Sequence, residues 1–254
     1  MAQLFKPYAN SLARMSVLGL GLVPVVGFYA GSTISRSGAN TKAMVALTQP
    51  VKFSHKHHAM ELGISCLFCH TNVEKSGTAG IPPTETCMTC HSQIWTNSPE
   101  LEAVRQSYEK GAPIKFLDSD QVGWNQVNKV PEFVYFNHSI HIDRGINCNY
   151  CHGPIQEMQM TYKNQAFSME WCLDCHRNPE KALYKDGDSS SPKQQVFNLY
   201  RKIQAGDRLS AREQALAHGE KYSPTAEELA KGEELLNEYQ IKKKQLMDCW
   251  VCHR

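Results

Sequence analysis

Residues 53–70 read FSHKHHAMELGISCLFCH, and residues 136–152 read FNHSIHIDRGINCNYCH. Both stretches carry a phenylalanine and two histidines in the order F-x-H-x-x-H, followed by the motif C-x-x-C-H. A second C-x-x-C-H motif begins 21 residues after the first in one stretch and 24 residues after it in the other. The repeated order and spacing predict a tandem module that contains two such motifs in each copy.

All ten cysteines of the chain belong to five copies of C-x-x-C-H. Two cysteines three positions apart can form thioether bonds to the two vinyl groups of one haem, while the following histidine binds the iron. Zinc is the competing interpretation, but pairing the C-x-x-C units would leave one unit over and five histidines without a role. The motifs therefore predict five covalently bound c-type haems. The thioether cysteines are Cys66, Cys69, Cys87, Cys90, Cys148, Cys151, Cys172, Cys175, Cys249 and Cys252, and the proximal iron ligands are His70, His91, His152, His176 and His253.

The histidines of the two F-x-H-x-x-H segments are the candidate distal ligands. A haem iron with two axial ligands needs a second side chain on its opposite face, and two histidines per module for two haems is the required number. The predicted distal ligands are His55, His58, His138 and His141. Because one haem has room for one distal ring, we expect the two histidines of each segment to serve different haems. His57 aligns with Ile140, which cannot bind iron, so we interpret it as a group that supports a ligand or, as the alternative, as a ligand itself.

The fifth motif, Cys249–His253, lies outside the repeat and has no matching distal histidine. Met158 and Met160 follow the third motif and are the favoured candidates. Methionine ligation would raise the potential of the fifth haem above that of its neighbours. Core packing is the ordinary role of such methionines. His218 is the remaining histidine, but it lies in the sequence AREQALAHGEKY, where a polar helix face explains it equally well.

The N-terminal residues 15–34 carry no charge for a length that would span about 30 Å as a helix. Lys6 and Arg14 precede this stretch, which favours a cytoplasmic N-terminus and an extracytoplasmic remainder. A cleaved signal peptide is the alternative, because Ser37-Gly38-Ala39 offers small residues at a cleavage position. Either interpretation exports the rest of the chain, and we favour a single-pass anchor in the cytoplasmic membrane with the haems on the periplasmic side.

The predicted fold is mainly α-helical with much irregular structure. We expect an N-terminal tail and transmembrane helix (1–35), a linker (36–50), a first two-haem module (51–130), a second two-haem module (131–180), and a loop with a helical tail that carries the fifth haem (181–254). Ser210 followed by Glu213, and Ser223 before Pro224, predict the starts of two helices in this tail. The formal charge of +2 argues against nucleic acid as a partner.

Four strings in this sequence resemble the pentahaem cytochrome c subunit of alternative complex III, a bacterial quinol oxidase complex. They are QPVKFSHKHHAMELGISCLFCH (49–70), GIPPTETCMTCHSQIW (80–95), PEFVYFNHSIH (131–141) and MEWCLDCHRNPE (169–180). The resemblance implies an electron-transfer subunit, not an enzyme by itself, that relays electrons from quinol-oxidising membrane subunits and an iron–sulfur protein toward a periplasmic acceptor. It also implies a monohaem cytochrome c as a neighbour. Residues 181–248 resemble the family only loosely.

Two other functions compete with this prediction. A nitrite-reductase-like multihaem enzyme needs one iron with an open position for substrate, whereas the chain has eleven histidines and spare methionines for ten axial positions. A free-standing quinol dehydrogenase of the anchored tetrahaem type also has one N-terminal helix. It would oxidise quinol with few partners, whereas a subunit of a larger complex is expected to be inactive with quinol when isolated.

Overall fold

The structure, a computed structural model, describes residues 5–185, 187 and 191–253. Within these ranges it contains helices, turns and irregular segments but no β-strand, and two isolated bridges join Ala46 to Tyr162 and Lys115 to Val122. This confirms a mainly helical fold with much irregular structure. The chain divides into two compact units, Met1–Ala43 and Met44–Arg254.

The first unit contains helix α1 (Tyr8–Arg36) and the short helix α2 (Gly38–Thr41). Helix α1 has 29 residues, which corresponds to a length of about 44 Å. It continues through Pro24, and none of its residues is buried against other parts of the chain. By length and composition α1 could cross a membrane once, which is compatible with the predicted anchor.

The helices in the first part of the second unit carry the two-histidine segments and the first four cysteine motifs. Its helices up to residue 181 are the π-helix Lys56–Glu61, α3 (Cys66–Cys69), α4 (Thr84–His91), the 3-10 turn Pro99–Leu101, α5 (Glu102–Lys110), α6 (His138–Asp143), α7 (Cys148–His152), the 3-10 turn Ile155–Glu157, α8 (Met169–Arg177) and the 3-10 turn Pro179–Lys181. Every cysteine motif in this part lies on a short helix. Side-chain caps start three of these helices, since Ser65, Asn147 and Ser168 accept hydrogen bonds from the backbone of the first turn.

The C-terminal part of the second unit contains five helices: α9 (Pro192–Ala205), α10 (Ala211–His218), α11 (Ala226–Glu238), α12 (Lys243–Leu246) and α13 (Cys249–Cys252). The predicted helix start at Ser210 is confirmed, because Ser210 and Glu213 form a capping box. The second predicted start is two residues early, since Thr225 caps α11 together with Glu228. Helix α9 was not predicted. Its cap is Ser191 with Pro192 in its first turn, directly after a stretch whose residues 186 and 188–190 lie outside the described residues.

Helix α9 connects the parts of the second unit that hold the cysteine motifs. Val196 is fully buried and packs in one cluster with Val73 and Ile142. One turn later, Leu199 packs with Leu216 of α10. Burial of each such side chain contributes about 1.5 to 3 kcal/mol. Small apolar clusters of this kind, instead of one large core, hold the described part of this unit together.

Candidate functional site

The five C-x-x-C-H motifs lie on helices α3, α4, α7, α8 and α13, so both cysteines of each motif are on one helical turn. None of the ten cysteines forms a disulfide, and none is fully buried as a residue. Among the described residues, no group of three or more His, Cys, Asp or Glu side chains is arranged to hold a metal ion. That arrangement fits five separate cysteine pairs and does not fit a four-cysteine zinc site.

Four of the predicted proximal histidines each face a predicted distal histidine. The pairs, with the distances between their ring centroids, are His55 with His70 (6.4 Å), His58 with His91 (6.2 Å), His138 with His152 (6.3 Å) and His141 with His176 (6.3 Å). In three pairs the rings are within 19° of parallel, and in the pair of His58 with His91 they are inclined by 65°. The two histidines of each segment therefore face different motifs, as the sequence predicts.

The spacing of these pairs matches two imidazoles on opposite sides of one metal ion. A bond from imidazole nitrogen to a transition metal is about 2.0 Å long, and the ring centroid lies about 1.1 Å beyond the nitrogen. Two rings that bind the same metal from opposite faces thus have centroids about 6.2 Å apart. Direct contact between stacked rings would bring the centroids closer, to about 4.5 Å in the tightest arrangements. The residues present therefore fit a six-coordinate haem iron between each pair.

Seven of these eight histidines, and His253, direct Nδ1 at an oxygen acceptor, which leaves Nε2 available to a metal. Backbone carbonyls accept from most of them: Ser54 O from His58, Gly80 O from His70, Ile94 O from His91, Gly77 O from His138, Asn137 O from His141, Leu246 O from His176 and Phe133 O from His253, at 2.8–3.1 Å. His55 Nδ1 lies 3.0 Å from the hydroxyl of Thr161. Since a carbonyl oxygen can only accept, Nδ1 carries the proton, and the ring is held in the tautomer that metal sites use.

The phenylalanine of each F-x-H-x-x-H segment contacts both histidines that follow it. Phe53 packs edge-on against His55 (4.9 Å, 88°) and stacks on His58 (4.5 Å, 26°). Phe136 repeats this arrangement with His138 (4.7 Å, 90°) and His141 (4.7 Å, 26°). The role of these two residues was not predicted from the sequence, although their recurrence at the same position of both repeats indicated a shared role. Each phenylalanine holds two rings at fixed angles to each other.

Burial favours the neutral form of some of these histidines and the protonated form of some of these thiols. It lowers the pKa of His55 and that of His152 from 6.5 to about 4, and neutral imidazole is the form that binds metals. Burial also raises the pKa of Cys66 and that of Cys151 to about 12. Zinc binds thiolates, which these surroundings disfavour, whereas a thioether carries no charge and suits a site of this kind.

The fifth motif differs from the other four. The ring of His253 packs against Phe133, with centroids 5.8 Å apart, instead of facing a second histidine. Of the candidate distal ligands, Met158 is buried (3 % exposed), and its carbonyl accepts from the backbone of Lys56. Met160 is half-buried. His218 has an exposed side chain 3.5 Å from Glu157. In the described contacts, Met158 lies next to Lys56 and His218 lies next to Glu157, and neither contacts His253.

His57 lies at the surface beside the second motif. Its Nδ1 is 2.9 Å from Glu61 Oε2, and its ring is parallel to that of Trp95 with centroids 6.1 Å apart. It also contacts the edge of His58. These contacts agree with the interpretation of His57 as a neighbour of a ligand.

A network of buried side chains supports the third motif and was not found from the sequence. Asn149, inside the motif, donates from Nδ2 to Gln156 Oε1 and to the carbonyl of Leu216, both at 2.9 Å. Its Oδ1 accepts from the hydroxyl of Tyr200 at 2.8 Å. Asn147 donates to the carbonyl of Val196 at 2.6 Å. Helices α9 and α10 therefore hold the third motif, although the sequence linked this tail only to the fifth.

Comparison with known proteins is consistent with this geometry. Residues 32–111 match the class III cytochrome c family, and residues 134–196 match the family of cytochrome c7 and related cytochromes c. The first match contains the first two motifs, and the second contains the next two. The chain is also 31% identical over 150 residues to the multihaem cytochrome c subunit of a menaquinone reductase from Nitratidesulfovibrio vulgaris, an alignment that covers 51% of this chain and 68% of that protein. The chain therefore belongs to the multihaem c-type cytochromes, in the family of that menaquinone reductase subunit.

Proposed function

We propose that this chain is the electron-transfer subunit of a membrane quinol:acceptor oxidoreductase and carries electrons through five covalently bound c-type haems. The observation that carries this proposal is the set of four facing histidine pairs at 6.2–6.4 Å, one for each of the first four motifs. When bound, each haem supplies a reversible one-electron couple at its iron. The chain would not act as an enzyme at these four sites in this proposal, because each histidine pair would hold its iron from both faces and leave no position for a substrate.

In this proposal the ring pairs assign the distal ligands. His55 serves the first motif, His58 the second, His138 the third and His141 the fourth. The carbonyls that accept from Nδ1 raise the basicity of the rings and fix their planes, and Phe53 and Phe136 keep neighbouring rings apart. For the fifth motif, Met158, Met160 and His218 remain the predicted distal candidates, with His253 as the proximal ligand.

The proposed organisation follows the sequence boundaries: a membrane anchor in 1–35, a linker in 36–50, two-haem modules in 51–130 and 131–180, and a tail with the fifth haem in 181–254. We propose that α1 anchors the chain in the cytoplasmic membrane and that residues after it lie on the periplasmic side. The proposed partners are quinol-binding membrane subunits, an iron–sulfur protein, a monohaem cytochrome c and a periplasmic acceptor. They rest on the resemblance to alternative complex III.

A second candidate function is supported by the similarity to the multihaem cytochrome c subunit of a menaquinone reductase. In that case electrons run through the same haems in the opposite direction, from an extracytoplasmic donor to menaquinone in the membrane. The two candidates use the same histidine pairs and differ in the potentials of the donor and the acceptor.

Purification of the detergent-solubilised complex tests both candidates. Native mass spectrometry is expected to show this chain with five haems and with membrane subunits bound, and a pyridine haemochrome assay provides an independent haem count. Menadiol is expected to reduce the haems of the whole complex but not those of the isolated chain. Reduction of the isolated chain by menadiol at the rate of the complex would favour a free-standing quinol dehydrogenase instead.

A further inference from the structure

We propose that the five haem sites form one unbranched line in the order second, first, third, fourth, fifth, which differs from their order in the sequence. This proposal rests on the proposed electron-transfer function. Electron transfer between haems slows steeply with distance, so the order of the sites follows from which motifs share structural elements. Four contacts, each between a different pair of sites, define the line.

The second and first sites are neighbours because one short segment supplies a histidine to each. His55 faces the proximal histidine of the first motif, and His58 faces that of the second. Both rings contact Phe53, at centroid distances of 4.9 and 4.5 Å. The π-helix Lys56–Glu61 starts between these two histidines. A separation of three residues with a shared aromatic neighbour places the two irons on adjacent sides of one helical segment.

The first and third sites are neighbours because backbone carbonyls in the loop after the first motif accept hydrogen bonds from one histidine of each site. The carbonyl of Gly80 accepts from Nδ1 of His70, the proximal histidine of the first motif, at 2.8 Å. Three residues earlier, the carbonyl of Gly77 accepts from Nδ1 of His138, which faces the third motif, also at 2.8 Å. The backbone of His138 donates to the same carbonyl. A second contact joins His55 Nδ1 to Thr161, which follows the third motif.

The third and fourth sites repeat the arrangement of the second and first. His138 faces His152 of the third motif, and His141 faces His176 of the fourth. Both distal rings contact Phe136 at a centroid distance of 4.7 Å. The two modules therefore meet through their first motifs, and the second motif of each module lies on the outer side.

The fourth and fifth sites are joined by helix α12. The carbonyl of Leu246, three residues before the fifth motif, accepts from Nδ1 of His176 at 3.1 Å. Helix α12 packs on α8, which carries the fourth motif. The backbone N–H of Tyr135 donates to the carbonyl of Cys252, in the fifth motif, at 2.8 Å.

This order makes the second and fifth sites the two ends of the line and places the third site in the middle. Each step moves one electron between adjacent irons, so one iron is oxidised as the next is reduced, and no bond or proton changes. A quinol supplies two electrons in two successive passages, becomes a quinone and releases two protons to water, and an oxidised carrier protein takes up the electrons at the opposite end.

Removal of the middle haem tests the order. In the purified complex, the double variant Cys148→Ala, Cys151→Ala should lose the third haem, and loss of that haem alone is checked by pyridine haemochrome and circular dichroism. On mixing with menadiol, half of the absorbance of the four haems that remain on this chain should be reduced rapidly, and the other half should require dithionite. The matched control Cys87→Ala, Cys90→Ala removes an end of the line, so its four remaining haems should be reduced together or not at all. A division of one haem from three in this control would indicate that the haems follow their order in the sequence and would overturn the proposal. Any other division in the third-site variant overturns the proposed order.

Two further results separate this proposal from the proposed function. If menadiol does not reduce the unaltered complex, the quinol function fails, and the order is then decided by the iron positions in a cryo-electron microscopy structure of the haem-loaded complex. The same structure decides the order if the third-site variant does not assemble. The third iron must lie between the first and the fourth, and any other neighbour for it overturns the proposal.

Discussion

The hydrogen bonds of Asn149 give a quantitative test of how the tail supports the third haem motif. Asn149 is 3 % exposed and makes three side-chain hydrogen bonds, to Gln156, Leu216 and Tyr200. Each such bond contributes about 1 kcal/mol net, and each buried partner left unsatisfied adds to the loss. The substitution Asn149→Ala should therefore lower the free energy of unfolding by about 3 to 5 kcal/mol.

Urea titration of the haem-loaded full chain in detergent, followed by far-ultraviolet circular dichroism, measures this change. Tyr200→Phe removes one of the three bonds and should lower the free energy of unfolding by about 1 to 2 kcal/mol. The matched control is Asn237→Ala, because Asn237 is exposed and donates only to a carbonyl of its own helix; its effect should stay within about 0.5 kcal/mol. A loss below that limit for Asn149→Ala, with an unchanged denaturant slope, would refute the role of this network.

Three further predictions concern other parts of the second unit. His138→Met should raise the midpoint potential of one haem and change its ligation spectrum, since methionine stabilises reduced iron relative to histidine; a redox titration in which every haem potential of the variant equals that of the unaltered chain would contradict the assignment. Burial raises the pKa of Glu228, but hydrogen bonds to its carboxylate outweigh burial and lower the pKa to about 2. This contribution to stability is present above pH 4.5 and is lost as the pH falls toward 2, so Glu228→Gln should flatten the acid side of a stability-versus-pH curve, and an unchanged curve would exclude this carboxylate as its source. Gly232→Ala should lower the melting temperature, because the added Cβ would clash with the carbonyl oxygen of Glu180, and overpacking of this kind costs about 1 to 3 kcal/mol; a calorimetric melting temperature equal to that of the unaltered chain would show that the segment around Glu180 moves away from α11 without cost.

Local chemistry explains what could be predicted of the candidate site. Covalent attachment of a haem needs two cysteines and a histidine within five residues, so each motif is complete in the sequence. The F-x-H-x-x-H segment is similarly local, and its recurrence distinguishes His138 and His141 from ordinary surface histidines. The geometry of the four facing pairs agrees with these predictions, although the ligand assignments themselves remain predictions.

Long-range contacts explain what could not be predicted. The acceptor for Nδ1 of His176 is a carbonyl 70 residues away, and that for Nδ1 of His138 is 61 residues away. Backbone carbonyls are the same in every residue, so no side chain marks them in the sequence. The link between α10 and the third motif depends in the same way on carbonyls of Leu216 and Ala217.

The amino-acid sequence by itself determined the number of cysteine pairs, their cofactor chemistry, the two-histidine segments and the apolar N-terminal helix, because each is a pattern of side chains within a few turns of chain. Only the tertiary structure decided which histidines face each other, which carbonyls orient their rings, and which motifs are neighbours. Those relations depend on how segments far apart in the sequence pack together, and packing is specified by the whole set of buried contacts instead of any short pattern.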